Sequence, residues 1–461
     1  MTAPARTAAF HALRAVERDH ADLPSALARS REHLDDERDR ALAAEIVTGT
    51  LRWQRSLDHL IAHFSRRPLT RLDADVVTIL RLSLYQVLHL DRVPASAVVD
   101  DAVNLTRAAR KTSAAGFVNA VLRSILRERH RLPLPARPSA DADRGEQLRY
   151  LGVTHSHPEW LVARWLDRYG FDACEQWVRF NNEAPLLTLR ANRLRFTREE
   201  VAAALADDDI DTTPTPHAPD GLFVTAGNPL RRATNGAFFV QDEASQLVAM
   251  AVGARPGERV LDLCASPGGK TTAMAADMHD KGTIVACDVR PKRVSLLEET
   301  VRVSGAHCVE VRQVEPTGPL RFGGSPRGDA RADFNRVLVD APCSGLGTVR
   351  RDPDIRWRRH EADLPALVRG QMLLLARAAA VVAPGGRLVY ATCSSEPEEN
   401  EQVVEAFLRE HGDFVLVTLR ADAPGPLKPL LDERGMLRTL PFAHGLEAFF
   451  AAALHRRDHK D

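Results

Sequence analysis

The chain has 461 residues, of which 44% are hydrophobic, so we expect a globular protein with two or three domains. Its 62 basic and 62 acidic side chains give a formal net charge of zero, which does not indicate a polyanionic partner at the level of the whole chain. No apolar run approaches the roughly 20 residues that span a bilayer, and the six cysteines show neither C-x-x-C pairs nor zinc spacing. We therefore expect a cytoplasmic protein with free thiols and with neither a metal site nor a membrane segment.

The first part of the chain has the apolar periodicity of helices. Between residues 5 and about 130, apolar side chains recur at helical spacing and almost no strand pattern is present. This predicts an all-α domain over residues 1–132. Residues 130–146 are rich in proline and charge, and we predict that they form a linker.

A smaller domain of mixed type is predicted over residues 150–235. Residues 156–170 have a helical pattern, and residues 185–194 alternate like a strand. Thr197 has the side chain of a helix cap, and the helical pattern that it opens runs to residue 210. The mixture indicates an α+β domain.

The remainder of the chain, residues 236–461, alternates short apolar runs with helical patterns. This alternation is typical of an α/β domain with a parallel, doubly wound sheet. Residues 322–333 are predicted to form a flexible loop insertion. The strand candidates are 259–265, 282–288, 307–313, 335–341, 386–394, 414–419 and 448–456.

The stretch "RVLDLCASPGGKTTAMAADM" (259–278) is predicted to form a strand, a tight turn and a helix, and ligands bind at such strand ends. A phosphate loop would need glycine where Cys264 stands, and the G-x-G-x-x-G fingerprint of dinucleotide sites is absent. The third interpretation of this turn is the S-adenosylmethionine site of a class I methyltransferase. Asp288 supports it, because an acid at the end of the next strand can accept both ribose hydroxyls. A turn without any ligand is the alternative, since Gly-Gly turns are common.

Two later motifs each contain a cysteine close to the end of a predicted strand. "DAPCSG" (340–345) follows one apolar run, and "YATCSSEPEENE" (390–401) overlaps the next. A cysteine in such a position suggests a nucleophile, but two cysteines cannot easily have the same role. Either cysteine alone has a simpler interpretation as a small, buried core residue.

Three motifs together resemble a known family. "LDLCASPGGKTT", "DAPCSGLGTVRRDPDIRW" and "YATCSSEPEENE" are similar, in order and spacing, to motifs of the RNA cytosine-5 methyltransferases of the Nol1/Nop2/Sun family. The resemblance covers residues 150–455, and the upstream helical domain resembles the antitermination factor NusB. This combination is similar to bacterial enzymes that modify small-subunit (16S) rRNA. It implies S-adenosylmethionine as the cofactor and ribosomal RNA as the partner, with an unstructured or flipped-out cytosine. We expect a monomer.

The chemistry of such an enzyme explains the residue types. C5 of cytosine is too weak a nucleophile to take a methyl group directly, and a thiolate that adds to C6 activates it. The resemblance implies that Cys393 is this nucleophile and that Cys343 helps to release the product. A Pro-Cys motif alone would instead suggest attack by Cys343, as in DNA cytosine-5 methyltransferases. The resemblance also implies that Asp340 holds N3 and the exocyclic amine, and that Lys270 lies near this acid.

The resemblance implies a cofactor site around the first motif and the adjacent strand ends. The sequence departs from the family at three places. Ser266 stands where alanine is commoner, Glu315 takes the place of an acid in an Ala-Asp pair, and Glu447-Ala448 replaces Asp-Gly. The residues implied in cofactor binding are Cys264, Ala265, Ser266, Pro267, Gly268, Gly269, Lys270, Asp288, Glu315 and Asp340.

An arginine cluster follows the Pro-Cys motif, in "VRRDPDIRWRR" (349–359). We predict that Arg350, Arg351 and Arg356 contact RNA phosphates and that Trp357 stacks on a base. The alternative is a solvated helix start, which is the usual position of a run of charges.

Two other functions are consistent with these motifs. The same chemistry could act on tRNA, although the NusB-like part favours rRNA. The chain could also be an RNA-binding or antitermination protein with an inactive methyltransferase domain. Retention of Lys270, Asp340, Cys343 and Cys393 together argues against an inactive domain.

Overall fold

The computed structural model describes residues 2–139, 141–231, 235–322, 334–420 and 424–458. Its contacts divide the chain into two compact units. The first unit contains Met1–Ala184 and Val349–Glu361, and the second contains Pro185–Thr348 and Ala362–Asp461. This division differs from the predicted domain boundaries at 150 and 236.

The first unit is helical. Aspartates cap several of its helices, because their carboxylates accept hydrogen bonds from N–H groups that the first turn leaves unpaired. The Asp22, Asp36 and Asp73 side chains do this at α2, α3 and α5. The helices from this part of the chain are α1 (Pro4–Arg18), α2 (Leu23–Arg31), α3 (Glu37–Arg52), α4 (Gln54–Ser65), α5 (Ala74–His89), α6 (Ala95–Ala108), α7 (Ala115–Arg127), α8 (Arg144–Arg149), α9 (Glu159–Tyr169) and α10 (Phe171–Asn182).

The segment predicted to be a linker, residues 130–146, lies against these helices. Nε2 of His59 is 2.9 Å from the Pro133 carbonyl oxygen, and Oγ1 of Thr154 donates to the Pro135 carbonyl oxygen at 2.7 Å. The Arg137 guanidinium pairs with the Glu175 carboxylate at 2.8 Å. The segment is therefore held at several points within the helical unit instead of running free.

The second unit begins with a small antiparallel sheet of strand order β2-β3-β1-β4. The predicted helix start is confirmed, because Thr197 and Glu200 form a reciprocal capping box at the beginning of α11. The elements are β1 (Thr188–Ala191), α11 (Arg198–Ala206), β2 (Asp211–Pro214), β3 (Gly221–Ala226) and β4 (Phe238–Val240).

The larger sheet of this unit lies between two layers of helices. The elements between residues 243 and 456 include α15 (Ile355–Arg358), although this helix lies in the segment Val349–Glu361 of the first unit. The elements are α12 (Glu243–Val252), β5 (Arg259–Asp262), α13 (Gly269–Asp277), β6 (Thr283–Asp288), α14 (Pro291–Ser304), β7 (Val309–Gln313), β8 (Phe334–Asp340), α15 (Ile355–Arg358), α16 (Leu364–Ala379), β9 (Val382–Thr392), α17 (Glu401–Glu410), β10 (Phe414–Val417), β11 (Leu437–Arg438), α18 (Pro441–His444) and β12 (Phe450–Arg456).

The strand order of this sheet is β10-β12-β9-β8-β5-β6-β7, and β11 pairs with β12. The strands β5 to β9 run parallel to one another, as predicted for a doubly wound sheet. The predicted parallel arrangement is wrong for β12, which runs antiparallel to both β9 and β10. Parallel neighbours need a long crossover connection, usually a helix, whereas α18, the one α-helix described between β10 and β12, has only four residues.

The register of the sheet brings the two cysteine motifs to one edge. In the parallel pair β8–β9, Asp340 lies opposite Ala391, so both strands end at the same level. The loops that follow contain Cys343 and Cys393. The strand β5, on the other side of β8, ends at Asp262 at the same edge. The chain order of the strands reverses between β5 and β8, which is where ligands bind in such sheets.

Most of the predicted loop 322–333 lies outside the described residues. Within the described ranges, no helix combines the length and the apolar character needed to cross a membrane.

Candidate active site

The two motif cysteines lie side by side. The Sγ atoms of Cys343 and Cys393 are 3.4 Å apart, within hydrogen-bonding distance for two sulfur atoms. Their loops are joined by a backbone bond, because the Gly347 amide donates to the Cys393 carbonyl oxygen at 2.9 Å. A Cβ atom on Gly347 would lie only 1.9 Å from the Ala448 carbonyl oxygen, so this close approach requires glycine.

The neighbourhood of Cys343 favours its protonated form. The hydrogen bond with Cys393, burial, and the negative charges of Cys393 and Glu399 raise the pKa of Cys343 well above its ordinary value. Two thiolates at this separation would repel each other, so the pair carries one negative charge more readily than two. The geometry therefore suits one thiolate that receives a hydrogen bond from one thiol.

A lysine and an aspartate form an ion pair at the same strand ends. Nζ of Lys270, in the first turn of α13, donates to Oδ2 of Asp340 at 2.7 Å. Burial alone would lower the pKa of Lys270, but the charges of Asp340 and Cys393 outweigh it and the pKa is raised. Lys270 therefore stays cationic next to one of the cysteines. Its ammonium group also lies 6.0 Å from the ring centre of Phe449.

A pocket of about 270 Å³ opens between α13 and the ends of β5 and β8. Three carboxylates contribute to its walls, so it suits a ligand with positive charge. Its lining residues are Val240, Gln241, Asp242, Ser245, Asp262, Cys264, Ala265, Ser266, Pro267, Gly269, Lys270, Asp340 and Phe449.

The polar atoms of this pocket fit S-adenosylmethionine, a cation with an ammonium and a sulfonium group. Oδ2 of Asp262 accepts from Oγ1 of Thr271 at 2.7 Å, whereas its Oδ1 is buried and lacks a hydrogen-bond partner among the described residues. Oγ of Ser266 is also buried and lacks a hydrogen-bond partner among the described residues. Burial raises the pKa of Asp262 to about 7 against the opposing bond from Thr271. Buried polar atoms without partners are costly, and ligand donors would relieve that cost.

The structure brings most of the predicted cofactor residues to this pocket, and three lie elsewhere. Gly268 caps α13 in a left-handed conformation with φ 106°. Asp288 ends β6, is nearly buried, and has an Arg293 contact of 3.4 Å. Glu315 is exposed beyond β7, and its carbonyl oxygen accepts a hydrogen bond from Arg377. Its predicted cofactor contact has no support from this position.

Several lining residues are absent from the sequence prediction. Gln241 and Asp242 lie just before α12, where Asp242 caps the helix, and Val240 ends β4. No role was predicted from the sequence for residues 240–242. The Gln-Asp pair directly before a helical pattern could have indicated that this stretch lies at a helix start close to a ligand. Phe449 directly follows the Glu447-Ala448 pair, and no role was predicted for it.

The predicted RNA contacts fall in the segment Val349–Glu361 of the helical unit. Arg356 is fully buried, and its guanidinium donates to backbone carbonyls of that unit. A phosphate contact by Arg356 is therefore wrong for this structure. Trp357 is half-buried and donates from its indole to the Leu51 carbonyl oxygen at 2.6 Å. Arg350 stacks on Phe180, with 4.2 Å between the guanidinium carbon and the ring centre, and the Arg351 side chain is half-buried.

Among the described residues, no group of three or more histidine, cysteine, aspartate or glutamate side chains is arranged to hold a metal ion.

Comparison with known proteins identifies the family. Residues 249–455 match the model of the 16S rRNA methyltransferase RsmB/F family. A protein of Bacillus subtilis (strain 168) named probable ribosomal RNA small subunit methyltransferase B is 34% identical over 91% of this chain and 91% of its own length. The chain belongs to this family. A Synechocystis protein of the same name is 35% identical over 98% of this chain and 99% of its own.

The other parts of the chain match known domains as well. Residues 3–127 match the NusB family, and residues 157–231 match the ferredoxin-like domain of RsmF/B-like methyltransferases. The crystal structure of the protein PH0851 is 26% identical, covers 99% of both chains and superposes with a TM-score of 0.78. The predicted family, the methyltransferase fold and the NusB-like helical part are thereby confirmed.

Proposed function

We propose that this protein methylates C5 of one cytosine in 16S rRNA through a covalent adduct between Cys393 and C6 of the base. The observation that carries the proposal is the 3.4 Å contact between Cys343 and Cys393 beside the Lys270–Asp340 ion pair. A single methyl transfer to an amine would need no thiol, whereas C5 methylation requires one to attack and leave.

S-adenosylmethionine bound in the pocket would supply the electrophilic methyl group. The carboxylates of Asp262 and Asp242 would face its positive charge, and the Ser266 hydroxyl would be free to bond to it. Asp288 lies at the end of the neighbouring strand and is the acid proposed to accept the ribose hydroxyls.

The attack begins with the Cys393 thiolate, which forms a C6–S bond and moves the ring electrons toward C5. Cys343 is held in its thiol form by its surroundings, so we assign the thiolate to Cys393. Asp340 holds the N3 edge and the exocyclic amine as charge develops on the ring, while Lys270 orients the aspartate and balances its charge.

Release reverses the first step. A base removes the proton from C5, the C5–H electron pair restores the ring double bond, and the C6–S pair returns to Cys393. The Cys343 thiol stabilises the departing thiolate because its sulfur lies 3.4 Å away. A base within a stacked duplex cannot reach a thiol in this position, so the substrate is an unstacked or flipped-out cytosine.

The choice of 16S rRNA over tRNA rests on the relatives. Their printed names specify the small ribosomal subunit, and they match this chain over its helical part as well as its catalytic part. Nothing among the described residues favours tRNA.

The test is a methylation assay with site mapping. Full-length protein, S-adenosylmethionine and unmethylated small-subunit rRNA are incubated, and 5-methylcytosine is mapped by bisulfite sequencing. We expect no product from Cys393→Ala. We expect Cys343→Ala to accumulate a protein–RNA adduct, visible as a shifted band, because the thiolate leaves poorly. Cys308→Ala, a change outside the site, serves as the matched control.

Three results would contradict the proposal. Methylation by Cys393→Ala would overturn the assignment of the nucleophile, and product only on tRNA would overturn the substrate. Absence of product on both RNAs from the wild-type protein would overturn the enzymatic function.

A further inference from the structure

Each of the two active-site cysteines is followed by a serine, and both serines bind the same carboxylate. Oγ of Ser344 and Oγ of Ser394 each donate to Oε2 of Glu399 at 2.5 Å. The two hydroxyl oxygens are 3.1 Å apart. A single side chain thus bridges the Cys343 loop and the Cys393 loop.

The rest of the Glu399 carboxylate is equally well occupied. Its Oε1 accepts from the Ser344 amide at 2.8 Å and from Nε2 of Gln371 at 2.9 Å. Glu399 is fully buried. An ionised carboxylate accepts hydrogen bonds only, and these four donors satisfy it as an anion. Such a group holds its partners in one arrangement, because any movement of either loop would leave buried polar groups unpaired.

The backbone around Glu399 is fixed as well. The Tyr390 hydroxyl, on β9, donates to the Glu399 carbonyl oxygen at 2.6 Å. The neighbouring Asn400 accepts from Thr392 at 2.5 Å and donates to the Ser394 carbonyl oxygen at 3.0 Å, so it supports the Cys393 loop. Glu399 differs from Asn400 because its bonds extend to both loops.

We propose that Glu399 is a positioning residue that holds the Cys343 and Cys393 sulfur atoms at a fixed separation during attack and release. This role rests on the proposed function of the two cysteines. It deepens that function by naming the side chain that couples them. Glu399 does not line the cofactor pocket, so it acts through the serines and not on the cofactor.

The charge of Glu399 supports the same role. It is one of the contributions that raise the pKa of Cys343, after the bond to Cys393 and burial. The carboxylate therefore also helps to keep Cys343 as the thiol that donates to its neighbour.

The first test measures the separation of the thiols without RNA or cofactor. Phenylarsine oxide joins two close thiols, forming two As–S bonds and releasing its oxygen as water. Full-length wild type, Glu399→Ala and the double variant Ser344→Ala/Ser394→Ala are treated, and the bridged peptides are mapped by mass spectrometry. Cys343→Ser gives the background from other cysteines. Glu401→Gln is the matched control, since Glu401 lies in the same segment and pairs with Arg438 instead.

We expect wild type and Glu401→Gln to be bridged at equal rates, and Glu399→Ala and the double serine variant about tenfold more slowly or worse. Glu399→Gln keeps the shape and removes the charge, so its rate falls between them. Bridging of Glu399→Ala within twofold of wild type would overturn the proposal. If Glu399→Ala loses its cooperative thermal unfolding, Glu399→Gln and the double serine variant decide the question.

The second test separates positioning from a general loss of structure. In the methylation assay, Glu399→Gln should lower kcat by about tenfold to a hundredfold, because small displacements of reacting groups have effects of this size. The KM for S-adenosylmethionine should stay within twofold of wild type. A rise in this KM with unchanged kcat would overturn the proposal. If the wild-type protein methylates no RNA, the proposed function fails, and the arsenical comparison still decides the role of Glu399.

Discussion

At the scale of single residues, the buried charges of the site differ in how they are compensated. Lys270 and Asp340 form a short pair, with side-chain exposures of 13% and 28%. Removing one partner of this partly buried pair would leave the other charge without its compensation. Asp262 is different, since one carboxylate oxygen is bonded and the other has no described partner. The fold thus retains an acid that a cationic ligand would stabilise.

This predicts a pH dependence of cofactor affinity. Because burial raises the pKa of Asp262 to about 7, the acid is mostly protonated at pH 6 and mostly ionised at pH 8. A cationic ligand prefers the ionised form, so the affinity for S-adenosylmethionine should rise with pH, by up to about tenfold per unit below the pKa. Calorimetric titration at pH 6, 7 and 8 measures this. In Asp262→Asn, the affinity should be lower and nearly independent of pH.

The raised pKa of Asp262 should also make the stability of the unliganded fold depend on pH, and here the stability falls as the pH rises. A carboxyl whose pKa is higher in the folded state than in the unfolded state stabilises the fold at low pH. That contribution is lost as the pH rises from the ordinary value of 3.8 through about 7. Asp340, Asp288 and Lys270 act on this acid as well. If the free energy of unfolding of Asp262→Asn changes with pH as steeply as that of the wild type, the pH dependence comes from those neighbours and not from Asp262.

At the scale of elements, the segment Val349–Glu361 shows how a charged stretch can become an interior anchor. Arg356 donates to the carbonyl oxygens of Arg52, at the end of α3, and Asn181, near the end of α10. Carbonyls at helix C-termini are unpaired within the helix and carry partial negative charge. Among the described residues the Arg356 guanidinium has no carboxylate partner, and the helix ends stabilise its charge instead. Trp357 packs against the core of the same unit.

Arg356→Ala should consequently destabilise the helical unit. The change leaves several buried carbonyls without a donor and opens a cavity, so we expect the free energy of unfolding to fall by about 2–4 kcal/mol. Urea unfolding followed by circular dichroism measures this loss. Arg31→Lys, which keeps the charge at an exposed position of α2 in the same unit, is the matched control. Equal unfolding midpoints for Arg356→Ala and wild type would show that the guanidinium is not an anchor.

The sequence predicted the central strands well because each combines an apolar run with a recognisable motif at its end. The strands β2, β3, β4 and β11 were missed. They are short, and β2 is largely exposed, so no apolar alternation marks it. The direction of β12 was also missed, since strand direction depends on the connection and not on the local pattern.

For the site, the resemblance supplied the cysteine pair, and strand order explains why the two meet. The burial of Arg356 could not be predicted in the same way. Its surroundings come from helices that lie far away in sequence, and a run of arginines is typical of a solvated or RNA-binding surface. Glu399 was missed because one acid in "SEPEENE" does not differ locally from the others.

At the scale of the whole molecule, the helical unit is discontinuous in sequence. It takes Val349–Glu361 from the chain that otherwise builds the catalytic unit. Along the sequence, the four residues 345–348 connect Ser344, next to Cys343, to the start of that segment. A domain boundary drawn along the sequence alone would remove part of the helical core.

This predicts that a fragment of residues 1–184 is incomplete. Without Trp357 and Arg356 it should unfold at a lower temperature than the helical unit in the full chain. A peptide of residues 349–361 added in trans should raise its midpoint in proportion to the logarithm of peptide concentration. Thermal unfolding followed by circular dichroism measures both effects. A scrambled peptide of the same composition is the control, and an equal response to both peptides would refute the prediction.

The discontinuity also affects how the protein is made. The helices of the first unit leave the ribosome first, but their last segment follows only after residue 361 has been synthesised. At about 5–20 residues per second, the 177 residues from 185 to 361 (361 − 184) take about 10–35 s. During that interval the nascent helices expose the surface that Trp357 later covers. The order of synthesis thus keeps the first unit unfinished until both the cofactor turn and the Cys343 loop have emerged.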